Sequence, residues 1–194
     1  AYVGIERVNR IVRFDFDKGG ILARAEEVTG PPEVAKLPYN RGLESLVYLG
    51  KGHRLAGTIV AISERSLDAS GNIAAFLIGG PSPGIFHIKR SNDFDVSDAT
   101  LLPSGDILLL ERKFSLTKGV GIQVRCIPVS TIGPGSVVDG PVFFEADLGA
   151  EIDNFEGIAA HMARSGETVI TLISDDNFSI IQRTLLVQFT LLGR

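Results

Sequence analysis

Short apolar runs, most of them bounded by carboxylates, recur along the whole chain. Residues 2–6 and 11–16 are rich in Val, Ile and Phe, and similar runs follow at 43–49, 55–62, 74–78 and 85–89. The pattern continues through 96–102, 107–110, 121–129 and 142–146, and closes with the runs inside 153–189. β-Branched and large apolar residues in runs this short fit the pleat of a buried strand. No stretch of about 10–12 residues keeps a helical period, so helix is expected only as a short turn within 29–40 or 64–70. The gaps carry turn chemistry. Asp15-Phe16-Asp17-Lys18-Gly19-Gly20 reads as a hairpin turn, and it lacks the distal Glu that a calcium loop would need. The segment 29–40 holds Pro31, Pro32 and Pro38, which cannot donate to a sheet ladder. The pattern predicts an all-β protein.

The acidic positions repeat with the strands. Glu44, Asp98 and Glu156 each stand at the head of an apolar run, and Glu6, Glu64, Glu111 and Asp175 each stand at the tail of one. A period of about 50 residues, with about four short strands in each, is the pattern of β-propeller blades. An immunoglobulin-like sandwich would also give many short strands, without restarting the same acidic-headed, acidic-tailed pair. The expected architecture is a β-propeller of four-stranded antiparallel blades, with about three and a half present. A partial blade covers 1–28, and further blades cover 40–90, 96–147 and 154–194. A ring usually closes with about four to eight blades. The chain is therefore expected to be the C-terminal part of a longer propeller or to be completed by a second copy as a homodimer. The start, Ala1-Tyr2-Val3-Gly4, has no initiator Met and no signal-peptide pattern, which favours the first.

Composition narrows the function classes. With 44% apolar and 22% charged residues in 194, the chain is globular. A net charge of −4 gives no electrostatic footprint for nucleic acid, and no apolar run is long enough to span a bilayer. The single cysteine, Cys126, lies among apolar neighbours and reads as a small buried hydrophobe.

The acidic set is the candidate chemistry. Glu44, Asp98 and Glu156 on innermost blade strands would gather at one channel mouth, with Glu64, Glu111 and Asp175 on adjacent strands. Carboxylates held close together need a counter-charge. One reading supplies Ca²⁺, with Glu44, Asp98, Glu156 and Asp175 as ligands and Asn40, Asn154 or Asn177 amides joining them. Such an ion could bind a phosphate oxygen and activate water. A second reading pairs the carboxylates with arginines near them in sequence: Arg7, Arg41, Arg65, Arg112 and Arg183. A third makes them direct acid–base groups. The densest polar cluster is Ser174-Asp175-Asp176-Asn177. No Gly-x-Ser-x-Gly elbow occurs, and His53, His87 and His161 lack metal-binding spacing.

Several of these motifs resemble one family. Asn154-Phe155-Glu156-Gly157-Ile158-Ala159, Leu172-Ile173-Ser174-Asp175-Asp176-Asn177-Phe178 and Gln182-Arg183-Thr184-Leu185-Leu186 resemble the bacterial "esterase-like activity of phytase" domain. Asn40-Arg41-Gly42-Leu43-Glu44-Ser45-Leu46, Ser97-Asp98-Ala99 with Leu110-Glu111-Arg112, and Ile5-Glu6-Arg7 with Arg10-Ile11 are similar to its earlier elements. The resemblance covers nearly the whole chain and the later part of the family domain. It implies a β-propeller, periplasmic or secreted, and a hydrolase acting on a phosphate or other small-molecule ester. The alternative is a propeller that binds a ligand or a protein without turnover.

Overall fold

The computed structural model describes residues 1–115, 119–147 and 152–192. Its strands form four sheets, each built on an antiparallel meander of consecutive strands. The first sheet takes β1 (Tyr2–Ile5), β2 (Arg10–Phe14) and β3 (Ala25–Glu27). The second runs through β4 (Leu43–Leu49), β5 (Thr58–Leu67), β6 (Ile73–Gly79) and β7 (Gly84–Ile88). The third holds β8 (Asp95–Leu101), β9 (Ile107–Ser115) and β10 (Gly119–Ile127). Next come β11 (Val137–Val138), which extends the second sheet beside β7, and β12 (Val142–Asp147), which completes the third beside β10. The fourth sheet is β13 (Phe155–Met162), β14 (Thr168–Ser174) and β15 (Leu186–Leu191). The all-β expectation therefore holds. Among the described residues the sheets have three, five, four and three strands, so there the uniform four-stranded pattern is met only by the third.

The chain divides into two compact units, 1–88 with 133–137, and 89–132 with 138–194. In the first unit, Ile11, Leu43, Ile59, Phe76 and Ile78 form a buried cluster beneath Val34 and Leu37. Asn9 holds the entry to β4. Its Nδ2 donates to Leu37 O at 3.0 Å, and its Oδ1 accepts from Leu43 N at 3.0 Å. A Cβ on Gly42 would run into that amide and into Pro38 O, so the close approach requires glycine. In the second unit, Leu108, Leu110, Ile122 and Val124 pack with Phe155, Ile158, Ile170 and Leu172. Strand β9 is buried on both faces from Ile107 to Glu111, with Leu108 and Leu110 contributing to this core.

Three differences from the sequence expectations have local causes. The 15–20 turn is not a tight hairpin: β2 and β3 are joined by a helical turn at Phe16–Gly19 and a 3₁₀ turn at Gly20–Leu22. The expected short helix in 29–40 is a 3₁₀ turn at Val34–Lys36, whereas 64–67 stays extended as the end of β5. Glu64 and Glu111 do not end their strands, because β5 and β9 continue beyond them to Leu67 and Ser115.

Register corrects the repeat itself. The first strand of the second, third and fourth sheets carries a β-bulge near its start: between Leu43 and Ser45, between Val96 and Asp98, and between Phe155 and Gly157. The displaced residues are Glu44, Ser97 and Glu156, so Asp98 aligns with Ser45 and Gly157 rather than with the two glutamates. Across the ladder, Leu43 faces Ser63, Val96 faces Glu111 and Phe155 faces Ser174. Glu111 is thus the counterpart of Ser63 and Ser174, and the positions of Glu64 and Asp175 correspond to Arg112. The acidic period is real in sequence, yet its members fall on two neighbouring registers of the ladder.

Candidate functional site

The polar groups that gather in the second unit lie where β8 and β13 begin. Ser97 Oγ lies 3.2 Å from Phe155 O and 3.3 Å from Leu110 O, and its single hydrogen is shared between them. Asp98 Oδ2 accepts from Ile158 N at 2.8 Å while Oδ1 accepts from Ala99 N at 2.8 Å. These bonds tie β8 to the neighbouring sheet through its bulge. Burial pushes the Asp98 carboxyl above its ordinary value, and the two N–H donors only partly offset that.

Beside them, Arg112 Nη1 donates to Asn154 Oδ1 and to Glu156 Oε1, both at 2.6 Å. Asn154 Nδ2 donates to the same Glu156 oxygen at 2.6 Å. Arg112 and Glu156 are partly exposed, with side chains 28% and 35% accessible. The base of the β14–β15 loop is anchored next to this cluster. Asp175 N donates to Asn154 O at 3.0 Å, Arg183 N to Asp153 Oδ2 at 2.9 Å, and Ser174 Oγ to Arg183 O at 2.7 Å.

Glu111 belongs to a different set. Its side chain is fully buried, and it accepts from Gln123 Nε2 at 2.7 Å and from Arg125 Nε at 3.0 Å, with Arg125 Nη2 on the other oxygen. Arg125 Nη1 continues to Lys89 O and Asp139 Oδ1, both at 2.8 Å, and Lys89 Nζ lies 3.3 Å from Asp139. Burial raises the Glu111 carboxyl, and Arg125 and Gln123 pull it back. Burial also works against the guanidinium charge, but Glu111 and Asp139 outweigh it and keep Arg125 a cation. Burial likewise acts to raise Asp139; Gly140 N–H, Arg125 and Lys89 hold it below the usual carboxylate range.

Of the positions expected to act together, Asp98, Asn154 and Glu156 lie within this strand-head region, and Glu111 is sealed within the third sheet. Asn40, Glu44 and Glu64 lie in the first unit, where Glu64 N donates to Gly42 O at 2.8 Å and both glutamates have partners. Asp175, Asp176 and Asn177 form a self-closed turn. Asp175 Oδ1 accepts from Asn177 N, Asp176 Oδ1 from Phe178 N, both at 2.9 Å, and Asn177 Nδ2 reaches Gln182 Oε1 at 3.3 Å. Arg183 turns its side chain to Asp153, at 4.0 Å, and not to Glu156 or Asp175. Arg125, Gln123, Ser97 and Asp139 escaped the sequence reading. The signal for Arg125 and Gln123 was present: two polar residues two apart in an apolar run must share one sheet face and need a buried partner there.

Among the described residues, no three His, Cys, Asp or Glu side chains gather in a group able to hold a metal ion. Among the same residues, no helix is long and apolar enough to cross a membrane.

Antiparallel meander sheets joined through polar strand heads define an all-β scaffold of repeated sheets. The family model described as phytase-like, esterase-like activity of phytase, matches residues 1–178, and the chain belongs to that family. No curated protein and no solved structure gives a significant match.

Proposed function

We propose that this chain is part of an exported, phytase-like β-propeller that hydrolyses a phosphate or other ester at the β8 and β13 strand heads. The family match over residues 1–178 carries the reading. The propeller geometry is supported by four successive meander sheets and by the neighbouring first strands within each unit, β1 beside β4 and β8 beside β13. A partial blade then falls at 1–28 and further blades at 40–90, 96–147 and 154–194.

The partly exposed Arg112, Asn154 and Glu156 are the groups best placed to meet a substrate. The Arg112 side chain is 28% accessible, which lets its guanidinium face an anionic or carbonyl oxygen. A Ca²⁺ cage fits this donor set poorly. The oxygens of Asp98 and the Oε1 of Glu156 already take N–H donors, and the guanidinium on Glu156 repels a cation. The acidic positions of this unit therefore serve, in our reading, as staples between sheets. A binding module without turnover is the second reading, favoured by the same commitment of the carboxylates to structural bonds.

The test is turnover of p-nitrophenyl phosphate, p-nitrophenyl butyrate and myo-inositol hexakisphosphate, each with and without EDTA. The hydrolase reading expects release of product from at least one ester, unaffected by EDTA, with kcat/KM reduced about 10²-fold in Arg112→Ala. No turnover on any of the three rejects it in favour of the binding module. Activity abolished by EDTA and restored by Ca²⁺ overturns the staple assignment.

A further inference from the structure

Six asparagines occur in the chain, and only Asn177 is followed two residues on by a hydroxyl side chain, Ser179, with no proline between them. An Asn-x-Ser triplet with a non-proline centre is an acceptor sequence for N-linked glycan. The fold treats this asparagine differently from others. Asn9 and Asn154 are buried, and their amides bond within the structure. Asn177 is exposed in the turn between β14 and β15, and that turn is closed by other atoms. Asp175 Oδ1 accepts from Asn177 N and Asp176 Oδ1 from Phe178 N, both at 2.9 Å, while Ser179 N donates to Asp176 O at 2.7 Å. The Asn177 amide donates from Nδ2 to Gln182 Oε1 at 3.3 Å, a long bond in an exposed place. A left-handed φ of 49 suits an asparagine at this point, yet it asks nothing of the side-chain Nδ2.

We propose that Asn177 is the acceptor of an N-linked oligosaccharide, transferred from a lipid-pyrophosphate donor on the exported side of the membrane. The proposal rests on the export in the reading above and not on the hydrolysis. A chain crossing the membrane presents the triplet before its sheet forms, so recognition needs three consecutive residues rather than the finished fold. The fold has only to leave Nδ2 out of any buried bond, and it does. In the transfer, Asn177 Nδ2 bonds to the anomeric carbon of the donor's first sugar. The bond from that carbon to the pyrophosphate oxygen breaks, the lipid pyrophosphate leaves, and one Nδ2 proton passes to solvent. Nothing is oxidised or reduced. Nδ2 keeps its second hydrogen, so the contact with Gln182 can persist. Ser179 Oγ is the group that distinguishes this asparagine for a transferase. In the folded chain that oxygen accepts only a long bond from Ile181 N, at 3.3 Å, which a threonine can also make.

The experiment sends the whole chain to the periplasm behind an added secretion leader, in a bacterium supplied with a lipid-pyrophosphate-linked oligosaccharide and its transferase. Trypsin cuts after Arg164 and Arg183, and the peptide 165–183 holds Asn177 as its one asparagine. Mass spectrometry is expected to find that peptide carrying a single oligosaccharide on Asn177. Asn177→Gln and Ser179→Ala should each abolish the glycopeptide, and Ser179→Thr should retain it. Circular dichroism of the purified variants checks that the sheets still form; since transfer precedes folding, the glycopeptide is read in either case. A wild-type peptide found only unmodified overturns the proposal, and so does a glycan that persists in Ser179→Ala. Export is read apart, by locating the full-length protein in fractions of its producing cells. Confinement to the cytoplasm overturns the export reading and the proposal together, whereas an exported chain that fails as an acceptor overturns the proposal alone.

Discussion

Removing the Arg125 guanidinium while leaving Glu111 in place would strand a carboxylate where no water reaches it. Breaking one side of a buried pair typically costs about 3–5 kcal/mol, and replacing both partners with apolar residues can recover most of it. Arg125→Ala should therefore shift the urea midpoint strongly, and Glu111→Met with Arg125→Met should fall between that variant and wild type or above. Asp98 gives a pH-dependent counterpart. Its carboxyl is raised above 3.8 in the folded chain, so the native state holds the proton to higher pH than the unfolded state does. Its contribution to stability then declines as pH climbs from about 3.8 to the raised value, and it stays lower beyond. Asp98→Asn lacks this titration. The stability difference, wild type minus variant, should fall across that window and then level, as measured by urea unfolding at a series of pH values. A flat difference would mean that burial does not control this carboxyl.

At the scale of elements, most strands were legible because each is a short apolar run closed by turn residues. The positions of the bulges were not. A bulge changes which face a residue takes without changing composition, so Asp98 looked like the partner of Glu44 and Glu156, and Glu111 like that of Glu64 and Asp175. Ends of strands were misread for a related reason: Glu64 and Glu111 are polar residues inside long strands, where a buried or paired partner replaces the solvent that usually stops the run. Asn9 illustrates what sequence hides at the joints. It sits at φ 50 and satisfies two backbone groups at the entry to β4. Asn9→Ala should cost about 2 kcal/mol, from two lost buried bonds and a strained φ. Gly42→Ala should cost at least as much, because the new Cβ collides with Asn9; thermal melts followed by circular dichroism compare the two directly.

For the whole molecule, the all-β class and the family were readable from periodicity and motifs, while the contents of the candidate site were only partly so. Arg112 was named as a pairing candidate from its nearness to Glu111, yet it holds Glu156, 44 positions on. Net charge acts at this scale too. With a sequence pI of about 5.4, solubility should pass through a minimum near that pH, read by turbidity against pH.

The Glu111–Gln123–Arg125 set also constrains how these sheets can diverge from one another. At Glu111's register the second and fourth sheets hold Ser63 and Ser174, and opposite, where Arg125 stands, they hold Phe76 and Val187. A glutamate entering alone at a serine position would be buried without a partner, and an arginine entering alone at the fully buried Phe76 would be equally isolated. The interchange is therefore strongly epistatic: each single step is harmful and only the combination is tolerated. Grafting Glu, Gln and Arg together onto Ser63, Ala74 and Phe76 should show that sign change in a mutant cycle, with the combined variant more stable than the sum of its single steps allows.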